Sequence, residues 1–188
     1  MTITRQQAWD LLCQKMQSQN LRRHCLSVEA VMRSLAKKFG GDEEKWGIVG
    51  LLHDGDYEQT KEDMNAHSKV MAQWVQEMGE TDQELLDGIR SHGASHLSQE
   101  PNGSLQWSLF CCDELTGLIV ATALVQPNKK LAEVDVDSVM KKFKVKAFAA
   151  GAKREDIGQC EEKLGIPLPE FVDIALKAMQ GIAPEIGL

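Results

Sequence analysis

The chain has 188 residues, 43% of them hydrophobic, enough to bury the core of one domain without disulfide staples. Its 21 basic and 28 acidic side chains leave a net charge of -7, which argues against long nucleic acids as partners. A small phosphorylated ligand stays open, because a bound divalent metal supplies positive charge locally.

Five cysteines, at 13, 25, 111, 112 and 160, form no CxxC pair, so neither a disulfide framework nor a zinc ribbon is indicated and reduced, buried thiols are expected. No long apolar segment follows a basic start, and no run approaches the roughly 20 apolar residues of a membrane span; a soluble cytoplasmic protein without a membrane partner is expected. Helix formers are plentiful and β-branched runs rare, which predicts an all-α fold. We read residues 1–188 as a single domain with a motif-bearing core at about 20–125 and a helical extension at about 127–188.

In chain order, Ala8, Leu11, Leu12 and Met16 recur at helical spacing and predict an amphipathic helix over 4–17. A second helix is predicted from Leu21 to Phe39, stopped by Gly40-Gly41, with His24 in its first turn or two. Asp42 caps the next, whose body WGIVGLLHD is apolar almost all round and ends at His53-Asp54. The polar segment DYEQTKEDMN reads as a loop. A helix over 66–78 follows, with Val70, Met71, Trp74, Val75 and Met78 inward and His67 in its first turn.

Thr81-Asp82-Gln83-Glu84 has the form of a capping box ahead of a helix running through Leu85, Leu86 and Ile89 towards His92. After a loop at SHLSQEPNGS comes the apolar helix SLQWSLFCCDELTGLIVATALV, with Asp113 and Glu114 embedded. From Pro127 onward, basic helices either pack on the domain or shape a lid.

All five histidines, His24, His53, His67, His92 and His96, lie in the first 96 residues, near helix ends or on apolar helices. An ionised carboxylate in an apolar segment is costly unless paired, hydrogen-bonded or coordinating a metal. Asp54 and Asp113 both fit that description; a shared metal meets both costs, and an N-cap or a buried salt bridge is the alternative for each. His92 and His96 are spaced i, i+4 and face one ion if the helix persists through Gly93; otherwise His96 is a loop residue. Neutral imidazole with carboxylate suits Fe, Mn, Zn, Co or Ni, and the absence of cysteine disfavours a purely structural thiolate site.

The order His24, His53-Asp54, Asp113 resembles the H...HD...D signature of the HD-domain metal-dependent phosphohydrolases, within RRHCLSVEAVM, GIVGLLHDGDYE and CCDELTGLIVA. The resemblance covers about residues 20–125. It implies a compact multi-helix bundle in which His24, His53, Asp54 and Asp113 hold one divalent metal, His67 and His92 support a second, and Asp54 bridges. It further implies hydrolysis of a phosphomonoester or phosphodiester, of the nucleotide type, by metal-activated water, with His53 and Asp54 catalytic.

The chain departs from the family where it reads HDGD, with no lysine after the doublet, so Asp56 or Lys69 alters substrate handling. No GYP-containing signature follows His92, which argues against cyclic-dinucleotide hydrolysis. Of the basic residues Arg23, Lys69, Lys141, Lys142, Lys146 and Arg154, most read as solvated surface charge. Arg23, beside a ligand, and Lys69 are the substrate-binding candidates. Two other readings stay open, an HD-type non-haem di-iron oxygenase and a non-catalytic metal- or nucleotide-binding module. Oligomeric state is not readable.

Overall fold

Polar residues just ahead of apolar stripes start the first three helices. Thr4 and Gln7 form a reciprocal capping box on α1 (Arg5–Lys15), and Ser18 accepts from the N–H of Leu21 at the head of α2 (Gln19–Phe39). Asp42 accepts from Glu44 and Lys45 at the head of α3 (Glu43–Leu52). Each cap satisfies donors that the first helical turn leaves unpaired. Gly40 ends α2 in the left-handed conformation, φ 68°, which a residue with Cβ adopts only at a cost.

The computed structural model describes residues 3–93 and 100–188; among them every regular element is helical and there is no strand, as composition predicts. The chain continues through α4 (Tyr57–Thr60), α5 (Lys69–Glu77), α6 (Gln83–Ser91), the long α7 (Gly103–Leu124) and a 3-10 turn (Leu131–Glu133). The extension holds α8 (Val136–Phe143), α9 (Arg154–Leu164), α10 (Leu168–Gly181) and α11 (Ala183–Ile186).

Several boundaries differ from the sequence reading, each for a local reason. The expected loop after His53-Asp54 contains α4, whose Thr60 hydroxyl donates to the carbonyl of Asp56 at 3.0 Å. α5 starts at Lys69 rather than residue 66, because Ser68 takes φ 66° and a helix cannot run through that conformation. His67 therefore precedes α5 instead of occupying its first turn. No capping box forms at Thr81: Asp82 is the N-cap, and the Glu80 carboxylate accepts from the N–H groups of Thr81 and Asp82. Met78, expected inward, is 46% exposed because α5 ends one residue earlier.

Two contacts set the interior. At Gly50, a Cβ would stand 3.0 Å from the backbone N and Cα of Glu29, so α3 lies against α2 closely enough that any larger residue would push the two helices apart by a few tenths of an ångström. α7 is long and apolar enough to cross a membrane by length and composition, contrary to the reading that no run approaches that limit. It packs instead against α2, α6, α8, α9 and α10 at the centre of the fold, burying Leu109, Leu115, Leu118 and Ile119 completely. Each such side chain contributes roughly 1.5–3 kcal/mol. The extension joins this core through Ile157, Phe171, Val172 and Met179, with α9 on α7 and α10 on α2.

Candidate metal centre

Separate elements deliver histidines and acids to one point. His24 comes from the second turn of α2, and His53 ends α3, followed by Asp54. His67 sits in the turn before α5, His92 ends α6, and Asp113 comes from the middle of α7. On α7 the residues Phe110, Asp113, Glu114 and Gly117 follow i, i+3, i+4, i+7 spacing, so they share one face, and all four line a single cavity.

Asp113 Oδ1 lies 2.9 Å from His24 Nε2 and 3.4 Å from His53 Nε2, and its Oδ2 lies 3.5 Å from His92 Nδ1. Asp54 Oδ1 lies 3.2 Å from His67 Nε2 and 3.3 Å from His92 Nε2. Among the described residues, two triads have ligand atoms close enough to hold a metal ion: His24, His53 and Asp113, and His53, Asp54 and His92. The residue common to both is His53, whereas the resemblance gives the bridging role to Asp54. His53 has one nitrogen to offer and serves one ion at a time; Asp54, with two oxygens, is the group able to join a second.

Outer partners aim the rings. His53 Nδ1 donates to the Gly50 carbonyl at 2.7 Å, which leaves a bare Nε2 facing the cluster. The Thr116 hydroxyl spends its proton on the Asp113 carbonyl at 2.8 Å, so it accepts from His24 Nδ1 at 3.3 Å and turns Nε2 towards Asp113. His67 Nδ1 donates to Asp56 Oδ1 at 2.8 Å. Asp56 is completely buried and also accepts from the N–H groups of Ser68 and Met71, at 3.1 and 2.8 Å. Asp56 thus acts behind His67 rather than on a substrate.

The cluster is electrostatically tight. Burial alone raises the pKa of Asp54, but hydrogen bonds from His67 and His92 outweigh it and hold the carboxyl well below its usual range. Asp113 is also held below its usual range, burial being overcome by His24 at 2.9 Å, with the charge of His92 adding to it. For His67, burial opposes the charged form, yet Asp54 and Asp56 raise its pKa to about 9. His92 is raised likewise, burial yielding to Asp54 and Asp113. Two carboxyls outside the cluster move the other way: burial raises Glu114, with Asp113 adding to it, and burial raises Asp156.

His24, Asp54, His67, His92 and Asp113 open onto a cavity of about 470 Å³, whose far wall is Ala149, Gly151, Ala152, Lys153 and Asp156. The extension therefore both packs on the domain and walls the site. Neither expected substrate-binding cation is there. Arg23 lines a separate cavity with Arg5, Trp9 and Arg22, because neighbours on a helix diverge by about 100° and His24 takes the inward direction. Lys69 is exposed on α5 and is not part of the wall.

Lys141, Lys142 and Lys146 are absent from the wall as well. Arg154 spends its guanidinium on the carbonyls of Phe143, Phe148, Ala149 and Ala152, and so holds the wall in place. Lys153 was missed because its sequence neighbourhood carries no signal of the cavity; the role of Asp56 was hinted at only by its place two residues after Asp54. His96 lies outside the described residues.

The buried Nε2 of His53 has no hydrogen-bond partner among the described residues, a cost of about 1–3 kcal/mol that a metal ion removes. A divalent transition metal fits this set of imidazoles and carboxylates. The family model of the HD domain matches residues 21–126, more than half of the chain, and the protein belongs to the HD domain family, which includes metal-dependent phosphohydrolases. Neither the curated proteins nor the solved structures compared with the chain gave a match.

Proposed function

We propose that the protein is a metal-dependent phosphohydrolase acting on a small phosphomonoester or phosphodiester of the nucleotide type. The observation that carries the reading is the bare, buried Nε2 of His53 beside Asp113 and Asp54. His24, His53, Asp54 and Asp113 hold one divalent ion in this reading, drawn from Fe, Mn, Zn, Co or Ni, and His67 and His92 hold a second with Asp54. When bound, the metal lowers the pKa of water from near 16 towards about 7 and offsets the charge of the phosphoryl oxygens.

The chain's own contribution is positional. Asp54, already ionised between His67 and His92 before any ion binds, brings a carboxylate charge that suits it to hold a divalent metal. His53 is fixed by Gly50, and His67 by Asp56, so neither ring reorients when substrate enters. Phe110 and Tyr57 give the cavity apolar surface that limits water beside the reacting phosphorus. Four cysteines are buried and unpaired, which suits the reducing cytoplasm we assign to it.

The test is elemental analysis of purified protein with parallel phosphatase and phosphodiesterase assays, on wild type and Asp54→Ala. Bound metal and hydrolysis, both lost in the variant, support the reading. Tightly held iron without hydrolysis moves the assignment to oxygen chemistry, and no metal under any loading condition sinks both.

A further inference from the structure

Beyond the metal ligands, the cavity is lined by an unusual balance of charge. Glu114 and Asp156 face it together with Lys153, which is the one lysine or arginine in the wall among the described residues. Lys153 stands 3.9 Å from Asp156, an ion pair too long to be a hydrogen bond, with its side chain half exposed. Among the described residues no side chain donates a hydrogen bond to either carboxylate; Glu114 meets the backbone N–H of Lys153, and Asp156 has no donor. Their free acceptors face the cavity, where water or donors on a bound organic group satisfy them.

Resting on the function proposed above, we infer that Asp156 and Lys153 are specificity-determining residues which restrict the site to substrates carrying a single phosphate on a neutral or cationic organic group. The argument is one of charge count. The metals and their ligands take one phosphate. What extends past them meets two carboxylates and one ammonium, a net excess of one negative charge. Further phosphates are repelled there, whereas hydroxyl or amine donors on the organic part find acceptors. Phe110, Ala149 and Gly151 complete the wall without adding charge. Asp156 and Lys153 lie beyond residue 126 and are supplied by the extension, while Glu114 comes from the portion that the family model covers.

The experiment measures inhibition of metal-dependent p-nitrophenyl phosphate hydrolysis by adenosine mono-, di- and triphosphate, at fixed free metal concentration. Wild type, Asp156→Asn and Lys153→Ala are compared, with metal content and thermal melting checked for each. We expect the monophosphate to compete at least tenfold more tightly than the triphosphate in wild type. Asp156→Asn should narrow that ratio by about threefold to tenfold and Lys153→Ala should widen it by a similar factor, since one removes a negative charge and the other a positive one. A general loosening of the wall moves both variants in the same direction.

A wild type that binds the triphosphate as well as the monophosphate, a monophosphate that fails to compete, or two variants that shift the ratio alike or not at all would each overturn the inference while leaving the hydrolase reading intact. Wild type that does not hydrolyse p-nitrophenyl phosphate with any metal overturns the reading beneath, and this inference with it.

Discussion

Asp56 and His67 meet at 2.8 Å with both side chains buried, and the same carboxylate also binds the backbone of Ser68 and Met71. One acid thereby fixes the ring and the left-handed turn that carries it. Asp56→Asn keeps the shape but gives up an acceptor oxygen, and partners behind a ligating histidine are worth about 10–100-fold in metal affinity. We expect the second of two ions to bind weaker by that factor. Titration calorimetry with Mn or Co reads it, and retention of the second ion at wild-type affinity would refute it.

Arg154 ties the carbonyls of Ala149 and Ala152 in the cavity wall to those of Phe143 and Phe148 behind it, and its planar fork is what lets it reach several at once. Arg154→Lys should raise KM severalfold and lower Tm while metal content stays at the wild-type value. A kcat effect with KM unchanged would place the residue in the chemistry instead of the wall.

Glu80 is buried and accepts from the N–H groups of Ile3, Thr81 and Asp82. Burial raises its pKa, but these backbone hydrogen bonds outweigh burial and hold it below the ordinary value. The unfolded chain then binds the proton more readily than the folded one. The stabilisation is fully present above the unfolded value of about 4.3 and is lost as pH falls through the lower folded value. Glu80→Gln should cost about 1–3 kcal/mol at neutral pH. In urea melts the gap from wild type should close below pH 4, and a gap that persists in acid would contradict the assignment.

Gly117 lies one turn after Asp113 on the cavity face of α7, and an added Cβ there meets nothing within 4 Å. Glycine inside a helix costs roughly 0.5–1 kcal/mol relative to alanine. Gly117→Ala should therefore raise Tm by about 1–4 °C. Gly117→Leu should raise KM for a nucleotide more than for p-nitrophenyl phosphate, because the new side chain occupies cavity volume; equal effects on both would show that this face is not where the organic group lies.

The helices were legible from periodicity, and the histidine-acid cluster from acids embedded in apolar segments together with an order of residues that resembles the HD signature. Val31, Met32 and Leu35 mark the buried side of α2, and His24, His53, Asp54 and Asp113 occupy the inward or terminal positions of apolar helices. Arg23 and Lys69 misled because adjacency in sequence says little about direction on a helix. Lys153 and Asp156 stayed hidden for a different cause: their place in the cavity is set by packing of α9 on α7, which local pattern does not encode. Ser68 was unreadable as well, since its left-handed backbone is imposed by Asp56 and by its own hydroxyl bond to the Arg90 carbonyl.

His24 and Asp113 lie 2.9 Å apart in space but almost half the chain apart in sequence. Contacts of that separation close late, after the loop-closure entropy between them has been overcome. The centre exists only once α2, α3, α6 and α7 have docked, so metal uptake during refolding should trail the gain of helix signal and report on completed assembly rather than on early helix formation.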